Sequence, residues 1–270
     1  MVIAVWRRSF YVRFGTELIC AGGPSIGDGP LNLTLKNASE IDWRDCFDTG
    51  AAARVKNNAL LIGQQPAIAL ANRTVWLPPP IPAWTWHSVA TGLAHIQRII
   101  SAWPVPVEGL GGFAWNATGN VHRVGVAAKP STQALASWLR NGAEGDPPAV
   151  IGDLLGLGPG LTPSGDDFLA STLATLHAIG SCNVANALWQ MLEARLDRTT
   201  LISAAHLSCA AGGAVGAKQH ALLNAILDGS EGEITRALEP ILQADHSSDR
   251  DGMAGMTTTL HAMHAGIVYQ

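Results

Sequence analysis

The first third of the chain alternates apolar and polar positions. In two runs an apolar side chain occurs at every second residue, which gives a strand one apolar face. Glycine and proline residues between these runs supply turns, and further short strands are predicted over residues 59–63, 67–71 and 74–77. We therefore predict a β-rich domain over residues 1–82, built as a small antiparallel sheet or barrel. The alternating apolar residues are Phe10, Val12, Phe14, Leu31, Leu33 and Leu35.

The hydrophobic period changes after the prolines of residues 78–82. Apolar residues then recur at spacings of three and four, which is typical of an amphipathic helix. A β-hairpin is predicted near residues 109–126, and a short helix around 134–139. We assign these elements to a connecting segment over residues 83–146. The apolar positions of the first helix are Val89, Leu93, Ile96, Ile100 and Trp103.

Residues 147–270 are predicted to form a mainly helical domain, so the predicted fold class is α+β. Gly180 and Gly229 occur where helix ends are expected, and Ser230 has Glu233 at the spacing of a capping box. The predicted helices cover residues 166–179, 184–197, 201–211, 217–228, 231–243 and 251–268.

Charge and cysteine usage narrow the functional classes. The 270 residues are 47% hydrophobic and 14% charged, with a formal net charge of −4 and no basic stripe, so nucleic acid is not predicted as a partner. The N-terminus lacks a signal-peptide pattern, and no stretch is long and apolar enough to span a membrane. The four cysteines lie far apart, which favours reduced thiols over a zinc site or a redox pair. These features predict a cytoplasmic protein.

Residues 156–167 read Gly-Leu-Gly-Pro-Gly-Leu-Thr-Pro-Ser-Gly-Asp-Asp and form the most distinctive segment of the chain. Glycines at alternate positions allow turns that leave successive N–H groups unpaired and facing one point, which is how backbone binds anions. A helix is predicted to begin at Thr162–Pro163 or at Ser164, with Ser164 and Asp167 spaced as a capping pair. The structural alternative is a well-capped helix whose Asp166 and Asp167 complement the helix dipole.

Two carboxylates beside an anion site require a compensating group, because they repel a bound anion. A divalent cation near Asp166 and Asp167, or a basic side chain from elsewhere, would supply it. Alternatively, one aspartate caps the helix and the other accepts from an N–H group of an amide or carbamoyl substrate. The segment is neither a P-loop, since no lysine follows its last glycine, nor a dinucleotide fingerprint.

A second segment repeats part of this pattern. Residues 164–167 align with residues 248–251, since each has a serine three positions before an aspartate. We hypothesise a degenerate repeat whose two helix N-termini converge on one ligand; a coincidence of two common caps is the alternative. His246 is then the candidate general acid or base, with Ser247 and Ser248 as donors.

Thr199, Thr200 and Ser203 precede a run of small residues that allows close packing or ligand approach, with Thr200 as a helix cap in the structural alternative. The candidate catalytic residues are Asp166, Asp167 and His246. The candidate substrate- or anion-binding residues are Gly158, Gly160, Thr162, Ser164, Gly165, Thr200, Ser203, Ser247, Ser248 and Asp251.

With the motif at 156–170, the chain is similar to the AllH family; the segments 29–32, 199–203 and 246–251 carry further resemblance. The resemblance implies a subunit of oxamate carbamoyltransferase, an enzyme of allantoin breakdown whose subunit of this type acts with two others. It implies protein partners and a small anionic substrate such as carbamoyl phosphate or oxamate. Asp245 and Asp249 depart from the family pattern and add negative charge, which disfavours the binding of an anionic substrate.

Three functions follow from these features. The first is a subunit of a carbamoyl or acyl-phosphate transferase that positions its substrate by backbone and carboxylate contacts. The second is a non-catalytic subunit that binds a small carboxylate or serves in assembly. The third, a metal-dependent hydrolase, needs more metal ligands than the sequence suggests. Whether this chain is an enzyme by itself is left open at this stage.

Overall fold

The computed structural model describes residues 1–64, 68–106, 108–115 and 123–268. The chain divides into two compact units, Met1–Pro78 and Pro79–Gln270. Strands lie in the first unit and long helices in the second, so the α+β fold class is confirmed.

The first unit contains a four-stranded and a three-stranded sheet within the described residues. In the larger sheet the strands Val2–Val5, Ser9–Phe14 and Glu17–Gly22 are antiparallel, whereas Asn32–Thr34 pairs parallel with Glu17–Gly22. Phe10 is fully buried in this unit and packs against the rings of Trp43 and Phe47. The strands of the larger sheet are β1 (Val2–Val5), β2 (Ser9–Phe14), β3 (Glu17–Gly22) and β4 (Asn32–Thr34); those of the smaller sheet are β5 (Ala53–Lys56), β6 (Ala59–Ile62) and β7 (Ile68–Ala69).

Two strand predictions need correction. The strand predicted over 74–77 is wrong, because this segment forms no ladder and its apolar residues Val75 and Leu77 are exposed. The strand around Leu31–Leu35 exists only over Asn32–Thr34. Its parallel pairing means that the sheet is not purely antiparallel.

The second unit is built from long helices joined by short turns. All six helices predicted within 166–268 are confirmed to within a few residues at each end. Their bounds follow, together with those of two helices that precede them. They are α1 (Trp86–Ile100), α2 (Arg123–Arg140), α3 (Ser164–Ala178), α4 (Cys182–Glu193), α5 (Leu201–Ala211), α6 (Ala217–Asp228), α7 (Glu231–Leu242) and α8 (Ser248–Val268).

The hairpin predicted near 109–126 is wrong where the segment is described; residues 116–122 lie outside the described part. Gly111–Trp115 form a 3₁₀ turn, and α2 begins at Arg123 rather than near residue 134. The turn is held because Leu110 is fully buried and the Trp115 indole donates to the Ile100 carbonyl at 2.9 Å. Packing into the helical core therefore determines the structure of this segment, although its glycine-rich sequence indicates a hairpin.

Helix ends agree only partly with the sequence patterns. Gly180 and Gly229 follow helix ends with positive φ, as predicted. The capping box of Ser230 and Glu233 is wrong, because Ser230 makes no side-chain cap and Glu233 instead pairs with Arg236. Among the described residues, Thr85 and Ser88 form a capping box at the start of α1 that was not predicted.

Helix α3 lies at the centre of the helical unit. It packs against α4, α5 and α8, and Phe168, Leu169 and Leu173 are fully buried. Its buried Thr172 and Thr175 hydroxyls donate to carbonyls one turn earlier, so these polar groups are satisfied inside the core. A helix buried on nearly all sides gives its N-terminus a fixed position. No helix among the described residues has the length and apolar character needed to cross a membrane.

Candidate functional site

Asp166 holds together three segments at the start of α3. It is 1% exposed, and its Oδ1 accepts from the Gly156 N–H at 2.9 Å. Its Oδ2 accepts from the hydroxyls of Thr199 and Ser203, the latter at 2.7 Å. Burial raises the pKa of Asp166, and these three hydrogen bonds act in the opposite direction. Both carboxylate oxygens are therefore engaged in holding the residues around the loop.

The glycine loop, residues 156–163, depends on glycine where other backbone comes close. Gly156 has a φ of +72°, and a Cβ there would meet the Arg198 carbonyl. Gly158 has a φ of +120°, and a Cβ there would lie 2.9 Å from the Ser164 nitrogen. A side chain at either position would disturb the loop or cover the first N–H of α3.

Several N–H groups of the glycine loop are free to bind. The first residue of α3 is Ser164, and Pro163 precedes it without a side-chain cap, so the capping pair predicted for Ser164 and Asp167 does not form. Within the described residues, the backbone N–H groups of Gly158, Gly160 and Ser164 donate to no carbonyl or side chain. Together with the positive end of the α3 dipole, they can bind a small anion.

Thr200 connects the glycine loop to α5. Its hydroxyl donates to the Leu161 carbonyl at 2.5 Å and accepts from the Ser203 N–H at 3.0 Å, which caps α5. Thr200 thus caps α5 through the Ser203 N–H, as expected if this segment serves to stabilise the fold. Their proposed contact with a substrate stays a prediction.

The start of α8 lies beside the start of α3. The hydroxyls of Thr162 and Ser248 are 3.1 Å apart. The Ser248 hydroxyl lies near the Asp167 carboxyl and lowers its pKa, and the hydroxyls of Ser164 and Ser247 act in the same way on the Asp251 carboxyl. The two helix N-termini therefore meet, as the repeat hypothesis requires.

Asp251 is fully buried at this meeting point, and Asp167 is half-buried, with its Oδ2 atom shielded from solvent. Burial raises the pKa of Asp167 well above its usual value, and the nearby carboxylates of Asp251, Asp166 and Asp249 add to the increase. Burial likewise raises the pKa of Asp251, although its Oδ1 accepts the N–H groups of Leu110 at 2.5 Å and Gly111 at 3.0 Å. Oδ2 of each carboxylate is buried and has no hydrogen-bond partner among the described residues.

Comparison with known proteins assigns the region that contains this site. A family model described as oxamate carbamoyltransferase subunit AllH matches residues 154–260. This region is therefore similar to the AllH family. The match covers about two fifths of the chain and includes the glycine loop and the starts of α3 and α8, but not the 29–32 segment. No curated protein and no solved structure matches the chain.

The two acidic departures from the AllH pattern have different environments. Asp249 is mostly buried, and its Oδ2 lies 3.2 Å from the Lys218 ammonium, so its charge is compensated locally. Asp245 is exposed to solvent. Arg250, the next residue after Asp249, donates to the Ala244 carbonyl at 2.8 Å. The extra charge at position 249 therefore does not stand unpaired beside the site.

His246 lies in the exposed segment that precedes α8. Its ring makes no hydrogen bond to the described residues, whereas its neighbours Ser247 and Ser248 contact Asp251 and Asp167. The structure thus brings the two serines to the meeting point of α3 and α8. A role for His246 as general acid or base stays a prediction.

The described residues include no group of three or more His, Cys, Asp or Glu side chains arranged to hold a metal ion. Asp166 has both oxygens committed to protein donors. A divalent cation near Asp166 and Asp167 therefore stays a prediction from sequence. His261 and His264, one turn apart on α8, also lack a third ligand within the described part of the chain, and His264 stacks on Trp86 at 5.9 Å.

Sequence reasoning missed the segment that contacts Asp251. Residues 109–112, which we call the second glycine loop, read Gly-Leu-Gly-Gly and fall within the predicted hairpin. They resemble Gly-Leu-Gly-Pro at 156–159, and this likeness is the signal that could have identified them. Their contact with Asp251 joins positions 140 residues or more apart, which local patterns do not reveal.

Proposed function

We propose that this chain is a subunit of a carbamoyl or related acyl-phosphate transferase of the oxamate carbamoyltransferase type. It binds a small anionic substrate through the N–H groups of the glycine loop and the start of α3. The family description of residues 154–260 supports the subunit assignment. The main support for an anion-binding site is the set of N–H groups at Gly158, Gly160 and Ser164. These groups have no acceptor among the described residues and lie at the positive end of a buried helix.

The substrate class follows from the groups around the loop. Carbamoyl phosphate and oxamate each join an anionic group to a primary amide. The loop N–H groups suit the anionic end, and the Asp167 carboxyl is an acceptor for the amide N–H groups. In the transfer, a substrate nitrogen attacks the carbamoyl carbon, and phosphate leaves with the bonding electron pair and takes the proton released by that nitrogen. The loop N–H groups stabilise the charge on the departing phosphate.

A second function, a non-catalytic subunit that binds a small carboxylate, is favoured by a different observation. The hydroxyls of Thr199, Thr200 and Ser203 are all engaged with Asp166 or with backbone. Among the described residues at the loop, few side chains are therefore free for proton transfer. In this case the chain binds a small carboxylate that does not react, and its partner subunits bind and convert the substrates.

Two glycine substitutions test the binding site. In Gly158→Ala the new methyl group lies against the Ser164 N–H, whereas in Gly180→Ala, at a φ of +78° after the end of α3, it meets nothing within 4 Å. Both changes strain backbone that favours glycine, but only the first affects a proposed donor. By isothermal titration calorimetry, we expect oxamate or carbamoyl phosphate to bind Gly158→Ala at least about tenfold more weakly than Gly180→Ala. Equal affinities, or no binding by the wild type, would contradict the proposal.

An activity measurement separates the two functions. Carbamoyl phosphate consumption in the presence of oxamate is measured with the purified chain and with the complex that a tagged chain captures from its source cells. Turnover that requires the complex and is lost in Gly158→Ala supports a transferase subunit. Full turnover by the complex with Gly158→Ala supports the non-catalytic alternative.

A further inference from the structure

Helices α3 and α8 contact each other through equivalent positions. Ser164 contacts Asp251, and in return Ser248 contacts Asp167. Because residues 164–167 align with 248–251, each of these contacts becomes the other when the two helices are exchanged. Such reciprocity is what a two-fold axis between two like elements produces.

The next turn repeats the reciprocity. A Cβ on Gly255 would meet the Phe168 carbonyl, and a Cβ on Gly252 would lie 2.7 Å from the Ser171 hydroxyl. In the same alignment Phe168 corresponds to Gly252 and Ser171 to Gly255. One turn later, the Thr259 hydroxyl donates to that of Thr172 at 3.3 Å. The helices therefore run in the same direction around a local pseudo-two-fold axis.

A glycine loop lies at the start of each helix. Gly156 of the first loop and Gly109 of the second both have positive φ, at +72° and +65°. The first loop donates the Gly156 N–H to Asp166, and the second donates N–H groups to Asp251. The equivalence is approximate, since position 250, the counterpart of Asp166, is an arginine. The second glycine loop nevertheless approaches α8 so closely that a Cβ at Gly109 would meet the Asp251 carboxylate.

The pseudo-two-fold axis relates two buried carboxylate oxygens, one on Asp167 and one on Asp251. Asp167 and Asp251 occupy equivalent positions, and Oδ2 of each is buried without a partner in the described part of the chain. Asp251 is 0% exposed. Two basic side chains of this region are engaged with other groups, Lys218 with Asp249 and Arg250 with the Ala244 carbonyl. Buried acceptor oxygens are normally hydrogen-bonded, so these two oxygens call for a donor.

We propose that Asp167 and Asp251 form a symmetric pair of acceptors for the –NH₂ group of the substrate, and that the second glycine loop, by positioning Asp251, belongs to the same site. This inference rests on the proposed function and narrows its ligand to small compounds that carry a primary amide next to a carboxylate or phosphate. The glycine loop binds the anionic end, and the aspartate pair binds the nitrogen. An –NH₂ group has two N–H donors, which matches two acceptor oxygens.

The charges of the site are compatible with an anionic ligand. Burial raises the pKa of both Asp167 and Asp251, so each carboxylate takes up a proton more readily than an exposed one does. The repulsion that two carboxylates exert on a neighbouring anion is correspondingly reduced.

A pair of ligands isolates the proposed contact. Oxamate and pyruvate have about the same size, a single negative charge and a carboxylate in common, but only oxamate has an –NH₂ group. We expect the wild-type chain to bind oxamate about tenfold or more tightly than pyruvate in isothermal titration calorimetry, a typical effect of hydrogen bonds to charged groups. In Asp251→Asn the oxamate preference should fall to about twofold or less. The asparagine Oδ1 can still accept from Leu110 and Gly111, which favours retention of the fold.

Two further variants complete the test. Asp167→Asn should lose the oxamate preference in the same way, whereas Asp249→Asn, whose carboxylate is paired with Lys218, should keep it. If Asp251→Asn and Asp167→Asn bind both ligands with an unchanged preference, the proposed role of the aspartate pair is contradicted. The proposal of an anion site at the glycine loop would then still stand. Failure of the wild type to bind either ligand would overturn the proposed function and the pair with it. If Asp251→Asn does not fold, as judged by circular dichroism, the oxamate preference of Asp167→Asn decides whether the aspartates bind the –NH₂ group.

Discussion

Asp166 is the residue on which the geometry of the glycine loop depends most. Asp166→Ala leaves the Gly156 N–H and the hydroxyls of Thr199 and Ser203 without their acceptor. We expect the free energy of unfolding in urea to fall by about 3 kcal/mol, because buried donors that lose a charged acceptor are expensive.

An exposed aspartate provides the control for this substitution. Asp153 contacts Arg198 at 3.3 Å, and both side chains are substantially exposed. Asp153→Ala should change the free energy of unfolding by less than about 1 kcal/mol. If Asp166→Ala is no more destabilising than Asp153→Ala, Asp166 does not hold the loop as the hydrogen bonds indicate.

The sequence allowed the loop, but not its anchors, to be predicted. Alternating glycines before a Ser-Gly-Asp-Asp start identify a tight turn and a helix N-terminus, since both depend on neighbouring residues. The acceptor role of Asp166 depends on Thr199 and Ser203, more than thirty residues away. Such contacts follow from how α5 packs on α3, which periodicity does not specify.

At the scale of elements, the contact between α3 and α8 depends on small residues. Gly255 lies so close to α3 that a Cβ would meet the Phe168 carbonyl, which is backbone and cannot move aside. Gly255→Ala should therefore lower the free energy of unfolding by about 2 kcal/mol, measured by urea denaturation, because the helices must separate.

The matched control is a helical glycine with open space around it. A Cβ added to Gly232 in α7 would meet nothing within 4 Å. Gly232→Ala should raise stability by about 0.5 kcal/mol, since alanine is the better helix former. A Gly255→Ala protein as stable as Gly232→Ala would show that the two helices are not in such close contact.

Elements are predictable where one period dominates a long segment. The helices α3 to α8 follow from their apolar spacing, whereas most of α2 escapes prediction because the glycines before it indicate a hairpin. The segment 74–77 resembles a strand in side-chain type alone, yet Val75 and Leu77 are exposed. Short segments carry too few residues for periodicity to outweigh tertiary packing.

At the scale of the whole molecule, each unit has its own hydrophobic core. Phe10, Val12 and Leu60 are buried within Met1–Pro78, and a separate, larger cluster fills the helical unit. All residues of the glycine loop, the second glycine loop and the aspartate pair lie within Pro79–Gln270. The three-part division at residues 82 and 146 stays a prediction from sequence.

These facts lead to a prediction about the helical unit alone. A protein of residues 79–270 should fold cooperatively, because its core is large enough for an independent domain. Its oxamate affinity should equal that of the full chain within about threefold, since the proposed donors and acceptors are all present. Circular dichroism during thermal unfolding and isothermal titration calorimetry test the two statements separately. A cooperative transition with lost binding would mean that the first unit contributes to the site, whereas the absence of a cooperative transition would mean that the helical core needs the β unit to fold.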